Sequence, residues 1–266
     1  MSTNKKTIFI TGCGSGFGKD STIKLAKRGH KVIATTETEA EAKKMADFAV
    51  LNKLPIESFK LDVTNEKDRE LIKNFDIDVL VNNAGEGESG PLSEIPLDKV
   101  RHNFEVNVFS SIALAQLALQ KMMKNDHGTV VFVSSLAGRQ GIAFLGSYSM
   151  TKFALCGGIP LMRKEIARIT KNVHVSLIEP GAYHTGFNQK NWAKQFVWMN
   201  ENSAFFPIKE KIRIEGEKYF ELFEIKTTDS LINKIVQACE AEKPCIRYSA
   251  PWWQNYGVLL LRMFRL

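Results

Sequence analysis

Two rhythms of apolar and polar positions take turns along this chain. Residues 6–10 are a short run of β-branched and aromatic side chains that reads as a buried strand. Residues 19–28 place apolar groups at Ile23, Leu25 and Ala26, a helical pattern closed by Gly29. Residues 31–35 return to strand character. Strand, turn, helix and strand in this order form the βαβ unit of a parallel sheet. The alternation continues with a helix over 39–51, a strand over 58–63, a short helix over 67–74 and a strand over 79–82. Residues 97–123 carry one long, bent helical pattern. Residues 128–134 hold the run Thr129-Val130-Val131-Phe132-Val133, as expected for a strand covered on both faces. A helix over 148–169 follows, weakened by Gly157, Gly158 and Pro160, then a strand over 173–178. This pattern predicts an α/β fold: a doubly wound parallel sheet in a single domain spanning residues 1–266.

After Gly186 the rhythm breaks. Residues 187–206 are rich in aromatic side chains, among them Trp192, Phe196, Trp198, Phe205 and Phe206. Helical signals return over 208–223 and 229–241. An irregular aromatic insert beside such a sheet predicts a substrate cover over about 187–228; simple packing of the rings on the domain is the alternative. The tail, 251–266, holds Trp252, Trp253, Tyr256 and the run Val258-Leu259-Leu260-Leu261. It is too short to span a bilayer. Three placements stay open for it: on the core, at a subunit interface, or against a membrane surface.

Composition narrows the classes. With 266 residues the chain is long enough for one large α/β domain with a full core. The formal charge of +7 suits anionic small molecules, but no Lys/Arg tract is dense enough to predict a nucleic-acid surface. Cys13, Cys156, Cys239 and Cys245 form no close pair and no metal-like spacing, so free thiols in a reducing compartment are expected. The polar residues 1–7 contain no signal-peptide core, and no run of about 18 apolar residues predicts a transmembrane segment. The expectation is a cytoplasmic protein. The five histidines show no ligand spacing, and no metal is expected.

Three stretches carry candidate chemistry. The first is the turn Thr11-Gly12-Cys13-Gly14-Ser15-Gly16-Phe17-Gly18, between the first strand and the first helix. Its glycines allow the backbone to approach a pyrophosphate, and the helix N-terminus behind it offers unpaired N–H groups and partial positive charge. The spacing is Thr-Gly-x-x-x-Gly-x-Gly rather than GxGxxG. The second is Glu37, just past the second strand, where an acidic residue holds the ribose hydroxyls of NAD and repels the 2′-phosphate of NADP. A solvated glutamate at a helix start is the alternative. The third is Tyr148 and Lys152, four apart and so on one face of a helix. A nearby ammonium favours the phenolate, which would make the pair an acid/base beside a carbonyl or alcohol.

Taken in order, these and further motifs resemble the short-chain dehydrogenase/reductase family over residues about 5 to 186. Thr11, Gly12, Gly16 and Gly18 match the family's cofactor turn, with Ser15 and Phe17 inside it. Asp62 and Val63 match the pair that touches the adenine. Asn82-Asn83-Ala84-Gly85 matches the motif after the fourth strand, of which Asn83, Ala84 and Gly85 line the cofactor. Pro180, Gly181 and Thr185 match the segment beside the nicotinamide and phosphates. Asn107, Ser135, Tyr148 and Lys152 match the catalytic set, Ser135 standing 13 residues before Tyr148. Ser134 is the local rival, one position too far. The resemblance implies a Rossmann-type fold, NAD or NADP as cofactor with NAD favoured by Glu37, and a small-molecule carbonyl or alcohol substrate. It implies that Tyr148 exchanges the proton, that Lys152 lowers its pKa and holds the ribose, that Ser135 hydrogen-bonds the substrate oxygen, and that Asn107 holds a relay water through its backbone. Many members are homodimers or homotetramers, so a homo-oligomer is implied.

Departures remain. Glu86 and Glu88 follow the Asn-Asn-Ala-Gly motif and would make part of the site acidic, or form a solvated loop. His184, near the cofactor segment, reads as a loop residue. Arg247-Tyr248 and the aromatic tail are vaguely similar to the steroid- and retinol-active branch of the family. The expected activity is an NAD(P)-dependent oxidoreductase acting on an apolar secondary alcohol or ketone. The rivals are a non-catalytic dinucleotide-binding sensor or scaffold, and a methyltransferase on a similar sheet.

Overall fold

A computed structural model describes residues 4–264. Parts of two sequence expectations, residues 1–3 of the N-terminal segment and 265–266 of the tail, lie outside the described residues. Seven strands form one sheet in the order β3-β2-β1-β4-β5-β6-β7, every pair parallel. They are β1 (Thr7–Ile10), β2 (Lys31–Thr36), β3 (Ile56–Lys60), β4 (Val79–Asn82), β5 (Gly128–Val133), β6 (Val173–Pro180) and β7 (Arg247–Ala250). The helices between them are α1 (Gly16–Lys27), α2 (Glu39–Leu51), α3 (Glu66–Glu70), α4 (Leu97–Phe104), α5 (Ser110–Lys124) and α6 (Gly146–Ile166). After β6 come α7 (Phe187–Ala193), α8 (Gln195–Trp198), α9 (Lys209–Phe223) and α10 (Asp229–Glu240), and after β7 comes α11 (Trp252–Met263).

Period-two alternation sorts each strand between two cores. Ile8, Ile10, Val79 and Val81 join Leu25 of α1 and Leu231 and Ile235 of α10 on one face. Phe9, Leu80, Val130 and Phe132 join Leu114 and Leu119 of α5 and Leu155 and Ile159 of α6 on the other. Each such side chain, fully buried, contributes about 1.5–3 kcal/mol. The strand order reverses between β1 and β4, and the crevice beyond their carboxyl ends is where a doubly wound sheet takes a ligand.

Several boundaries differ from the sequence expectation, for visible reasons. Strand β3 starts and ends earlier, which leaves Asp62 and Val63 in the turn beyond it. The long helical pattern is α4 and α5 joined by a π-helical turn, Glu105–Phe109, the source of the expected bend. Helix α6 runs unbroken through Pro160. A proline cannot donate to the carbonyl four residues back; here that carbonyl, on Cys156, accepts instead from Arg247 Nη2 at 2.8 Å. Residues 187–198 form the two short helices α7 and α8, and the irregular part of the expected insert is confined to 199–205. Strand β7 had no expectation: four residues carry too little pattern, and it stands only because β6 offers an edge.

Candidate active site

The glycine turn is clamped from behind. Thr11 Oγ1 accepts from the backbone N–H groups of Asn83 at 3.1 Å and Ala84 at 3.0 Å. Asn83 Nδ2 donates to the carbonyls of Thr11 at 2.9 Å and Gly12 at 3.1 Å. A Cβ on Gly12 would meet Ala84 Cα at 2.8 Å, and one on Gly18 would sit 2.2 Å from the Gly12 carbonyl oxygen, so neither position has room for a side chain. Thr11 and Gly18 therefore build the turn without facing the cavity. Gly12, Ser15, Gly16 and Phe17 line a cavity of about 910 Å³ at this crevice. Ser15 precedes α1 without capping it through its side chain, leaving first-turn N–H groups open toward that space.

One end of the cavity is acidic. Glu37, Glu41, Asp62, Val63 and Thr64 line it. Asp62 Oδ1 is held by Thr64, whose N–H donates at 2.9 Å and whose hydroxyl donates at 2.7 Å. Glu41 was not expected from sequence. Thr38 Oγ1 accepts from its N–H at 3.3 Å, a capping arrangement that turns its carboxylate toward Gly14, where a Cβ would meet it at 2.6 Å. The Thr-x-x-Glu spacing was the available signal.

The catalytic candidates meet at the middle of the same cavity. Ser135 caps a short 3-10 turn, accepting from Ala137 N–H at 3.0 Å, donates to the Pro180 carbonyl at 3.4 Å, and stands close enough to the Tyr148 phenol to favour its ionised form. Lys152 Nζ stands 5.5 Å from the centroid of the Tyr148 ring and donates to the Val133 carbonyl at 3.1 Å. Ser134, also on the cavity wall, donates instead to the Lys152 carbonyl at 3.2 Å. Burial pushes the phenol of Tyr148 up to about 12, opposed by the Ser135 hydrogen bond. Burial also brings Lys152 down to about 8. The expectation that the ammonium lowers the phenol is thus reversed in net direction: the ammonium lies over the ring face, and loss of water outweighs it.

Asn107 lies in the π-helical turn, buried, behind the cavity wall rather than on it. Its Oδ1 accepts from Glu86 N–H at 2.8 Å, and its Nδ2 donates to the Glu86 carbonyl at 2.8 Å and to Thr151 Oγ1 at 3.0 Å. The carboxamide thereby fixes the loop after β4 against α6, one residue before Lys152. A π turn at such a place is a recurrent device of functional sites. The acidic patch expected from Glu86 and Glu88 does not form. Glu86 pairs with Lys194, and with His102 Nε2 at 3.1 Å. Glu88 is buried, and desolvation raises its pKa. His184 pairs with Glu224 at 2.8 Å, outside this cavity.

Asn83, Ala84, Gly85, Pro180, Gly181 and Thr185 all reach the wall, between the glycine turn and Tyr148. The far end is apolar: Phe187, Tyr219, Phe220 and Phe223 come from residues 187–228, Trp253 and Val258 from the tail, and Ile142 and Leu145 from a loop that carried no expectation. Phe187 stands 5.8 Å from the Tyr148 ring. Behind it Trp192, Met199, Ile212 and Phe220 form a small separate core with Phe196, Trp198 and Phe205 packed against it, so of the rings of residues 187–206 Phe187 lines the cavity while Trp192, Phe196, Trp198 and Phe205 pack together. Gln254 fixes α11 over this end, accepting from Ala182 N–H at 2.7 Å and donating to the Phe223 carbonyl at 2.8 Å.

A family model described as short chain dehydrogenase matches residues 6–195. The chain is 32% identical over 216 residues to an uncharacterized oxidoreductase, YusZ, of Bacillus subtilis, an alignment covering 79% of this chain and 76% of that one. It is 30% identical over 214 residues to a 3-ketodihydrosphingosine reductase of Bacteroides thetaiotaomicron, with the same two coverages of 79% and 76%. Among solved structures, a short chain dehydrogenase/reductase from Burkholderia phymatum in complex with NAD superposes with a TM-score of 0.84 over 99% of this chain and 95% of that one, at 19% identity.

Proposed function

Since the chain belongs to the short-chain dehydrogenase family, whose members are dehydrogenases and reductases acting on alcohol and carbonyl groups, we propose that it interconverts an apolar ketone and its secondary alcohol with NAD as the preferred cofactor. One observation carries the reading: Ser135, Tyr148 and Lys152, with the Lys152 ammonium over the Tyr148 ring, line one cavity together with a glycine turn and an apolar chamber.

The residues fit a dinucleotide. The uncapped N-terminus of α1 and the flush glycine turn suit a diphosphate. Asp62 and Val63 suit the adenine, Glu37 the adenosine ribose, and Pro180, Gly181 and Thr185 the nicotinamide end. When bound, the nicotinamide supplies or takes the hydride. The protein's own part is the proton and the charge. Tyr148 gives its phenolic proton to the carbonyl oxygen in reduction and recovers it from the alcohol in oxidation. Ser135 donates to the same oxygen as charge develops there. Lys152 holds the ribose and keeps positive charge beside the phenol. Asn107 acts through position, by holding Glu86 and Thr151. Glu37 and Glu41 together place two carboxylates where a 2′-phosphate would lie, and no Lys or Arg among the described residues lines that end. The activity for which the Bacteroides relative is named supports a substrate with a long apolar part. The buried free thiols of Cys13, Cys156 and Cys239 suit a reducing, cytoplasmic setting.

A panel of ketones and secondary alcohols, followed by nicotinamide absorbance with each cofactor, tests the activity. Titration with NADH, NADPH and S-adenosylmethionine separates it from the methyltransferase reading, and binding without turnover across the panel would favour the sensor. Glu37→Arg should improve NADP affinity about tenfold or more relative to NAD, as charge repulsion becomes attraction. Unchanged relative affinity would remove Glu37 from the 2′ position.

A further inference from the structure

Helix α11 is built inside out for a helix on a globular body. Polar residues of α11 tie it to the body: Gln254 bonds Ala182 and Phe223, and Asn255 accepts from Arg139 at 3.4 Å. No residue of Trp252–Met263 is buried, and none belongs to the core on either face of the sheet. At 3.6 residues per turn, Gln254, Gly257, Val258 and Leu261 fall on one side, and all four line the cavity. Trp252, Tyr256, Leu259 and Met263 fall on the opposite side and face outward, exposed by 78%, 59%, 45% and 67%. An amphipathic helix normally turns its apolar stripe inward; this one presents a second, outward stripe that the described residues leave exposed.

Three observations say what covers it. The apolar ledge is continuous with the cavity: Trp253 stacks on Phe223 at 6.5 Å, Phe223 meets Tyr219 at 4.7 Å, and all three line the chamber while Trp253 and Tyr219 are also exposed. The charge has one sign, since residues 251–266 include Arg262 and Arg265 and no acid, in a chain of net charge +7. The area is modest: at these exposures the four outward side chains of the twelve-residue helix offer on the order of 500 Å² of accessible surface, below the about 800 Å² per partner of a stable protein interface. A lipid surface needs no such area. A few aliphatic side chains below the headgroups, aromatic rings at headgroup level and basic residues facing anionic lipid suffice.

We propose that the outward stripe of α11 docks this protein on an anionic membrane surface, lying in the interface without crossing it, and that the chamber beneath draws its apolar substrate from that surface. No helix among the described residues is long and apolar enough to cross a membrane. The docking itself does not depend on the proposed reaction; only its purpose rests on that reading.

Flotation of the full chain with vesicles of phosphatidylcholine, alone and mixed with phosphatidylserine, tests it. The wild type should float with the mixed vesicles and more weakly with the neutral ones. Trp252→Glu combined with Leu259→Glu should lower partition about tenfold or more, with dinucleotide affinity and turnover of a water-soluble carbonyl unchanged. Met263→Glu, in the last turn, is the second variant should the pair disturb folding. Wild type that stays soluble with every vesicle, or variants that float as well as it does, overturns the proposal. Light scattering that shows a wild-type dimer broken by these substitutions, without vesicle binding, assigns the face to a second copy and equally overturns it. Vesicle binding without turnover on any carbonyl would sink the proposed reaction alone.

Discussion

Tyr148→Phe should lower turnover by about a thousandfold or more while dinucleotide affinity stays within about threefold of wild type. The substitution removes one oxygen. That oxygen is the proposed proton donor, worth about 10²–10⁴ in rate, and with Ser135 one of two groups that meet the developing charge, a contribution of about 10²–10³. The ring remains, so its edge toward Phe187 and its place under the Lys152 ammonium remain. Stopped-flow turnover and fluorescence titration of the same preparation make the comparison. Residual turnover within tenfold of wild type would show that another group moves the proton.

The direction of the phenol's shift adds a pH signature. With burial holding Tyr148 up to about 12, the phenol is protonated throughout the neutral range. Carbonyl reduction then has its donor in place, and its rate should vary little across neutral pH. Alcohol oxidation needs the deprotonated phenol and should quicken as the pH rises above neutral.

What was legible in the sequence, and what was not, divides along a physical line. Strand–helix alternation announced β1 to β6, because a strand covered on both faces must be nearly continuous in apolar residues, as Thr129 to Val133 shows. The glycine turn was legible because close approach leaves room for nothing larger at Gly12 and Gly18. Spacing favoured Ser135 over Ser134, and the Ser134 hydroxyl is engaged by the Lys152 carbonyl of α6. The misses are interactions between distant parts. The passage of α6 through Pro160 depends on Arg247, 87 positions later in the chain, which no local window contains. The seating of α11 depends on Gln254 reaching Ala182 and Phe223. The neutralisation of Glu86 depends on Lys194, between α7 and α8. The sign of the Tyr148 shift was missed for a related reason: spacing gives the ammonium's nearness, but only the packed structure gives the loss of water around both groups.

That loss of water makes Lys152 costly to keep, and Lys152→Met should therefore yield a protein that is more stable and nearly inactive. Its folded value of about 8, against an ordinary 10.5, means that the folded state binds this proton less well than the unfolded chain does. The sign follows from the depression of a basic group. The penalty is present in full below about pH 8, shrinks as pH rises toward 10.5, and is gone above it. At about 1.4 kcal/mol for each pH unit between the two values, it amounts to about 3 kcal/mol at neutral pH. Methionine fills a similar volume without charge. It forfeits the bond to the Val133 carbonyl, at a cost of about 1–2 kcal/mol. The net gain is about 1–2 kcal/mol, or roughly 2–8 °C in melting temperature for a domain of this size. It should appear at pH 7 and fade by about pH 10. Turnover should fall about a hundredfold or more, and dinucleotide affinity should weaken, since a thioether cannot hydrogen-bond the ribose as the ammonium would. Melting curves at several pH values, beside rates measured with Tyr148 intact, test both halves. A variant that melts lower than wild type at neutral pH would show that the ammonium is better solvated than its burial implies, and a variant that keeps its turnover would remove Lys152 from the proton chemistry.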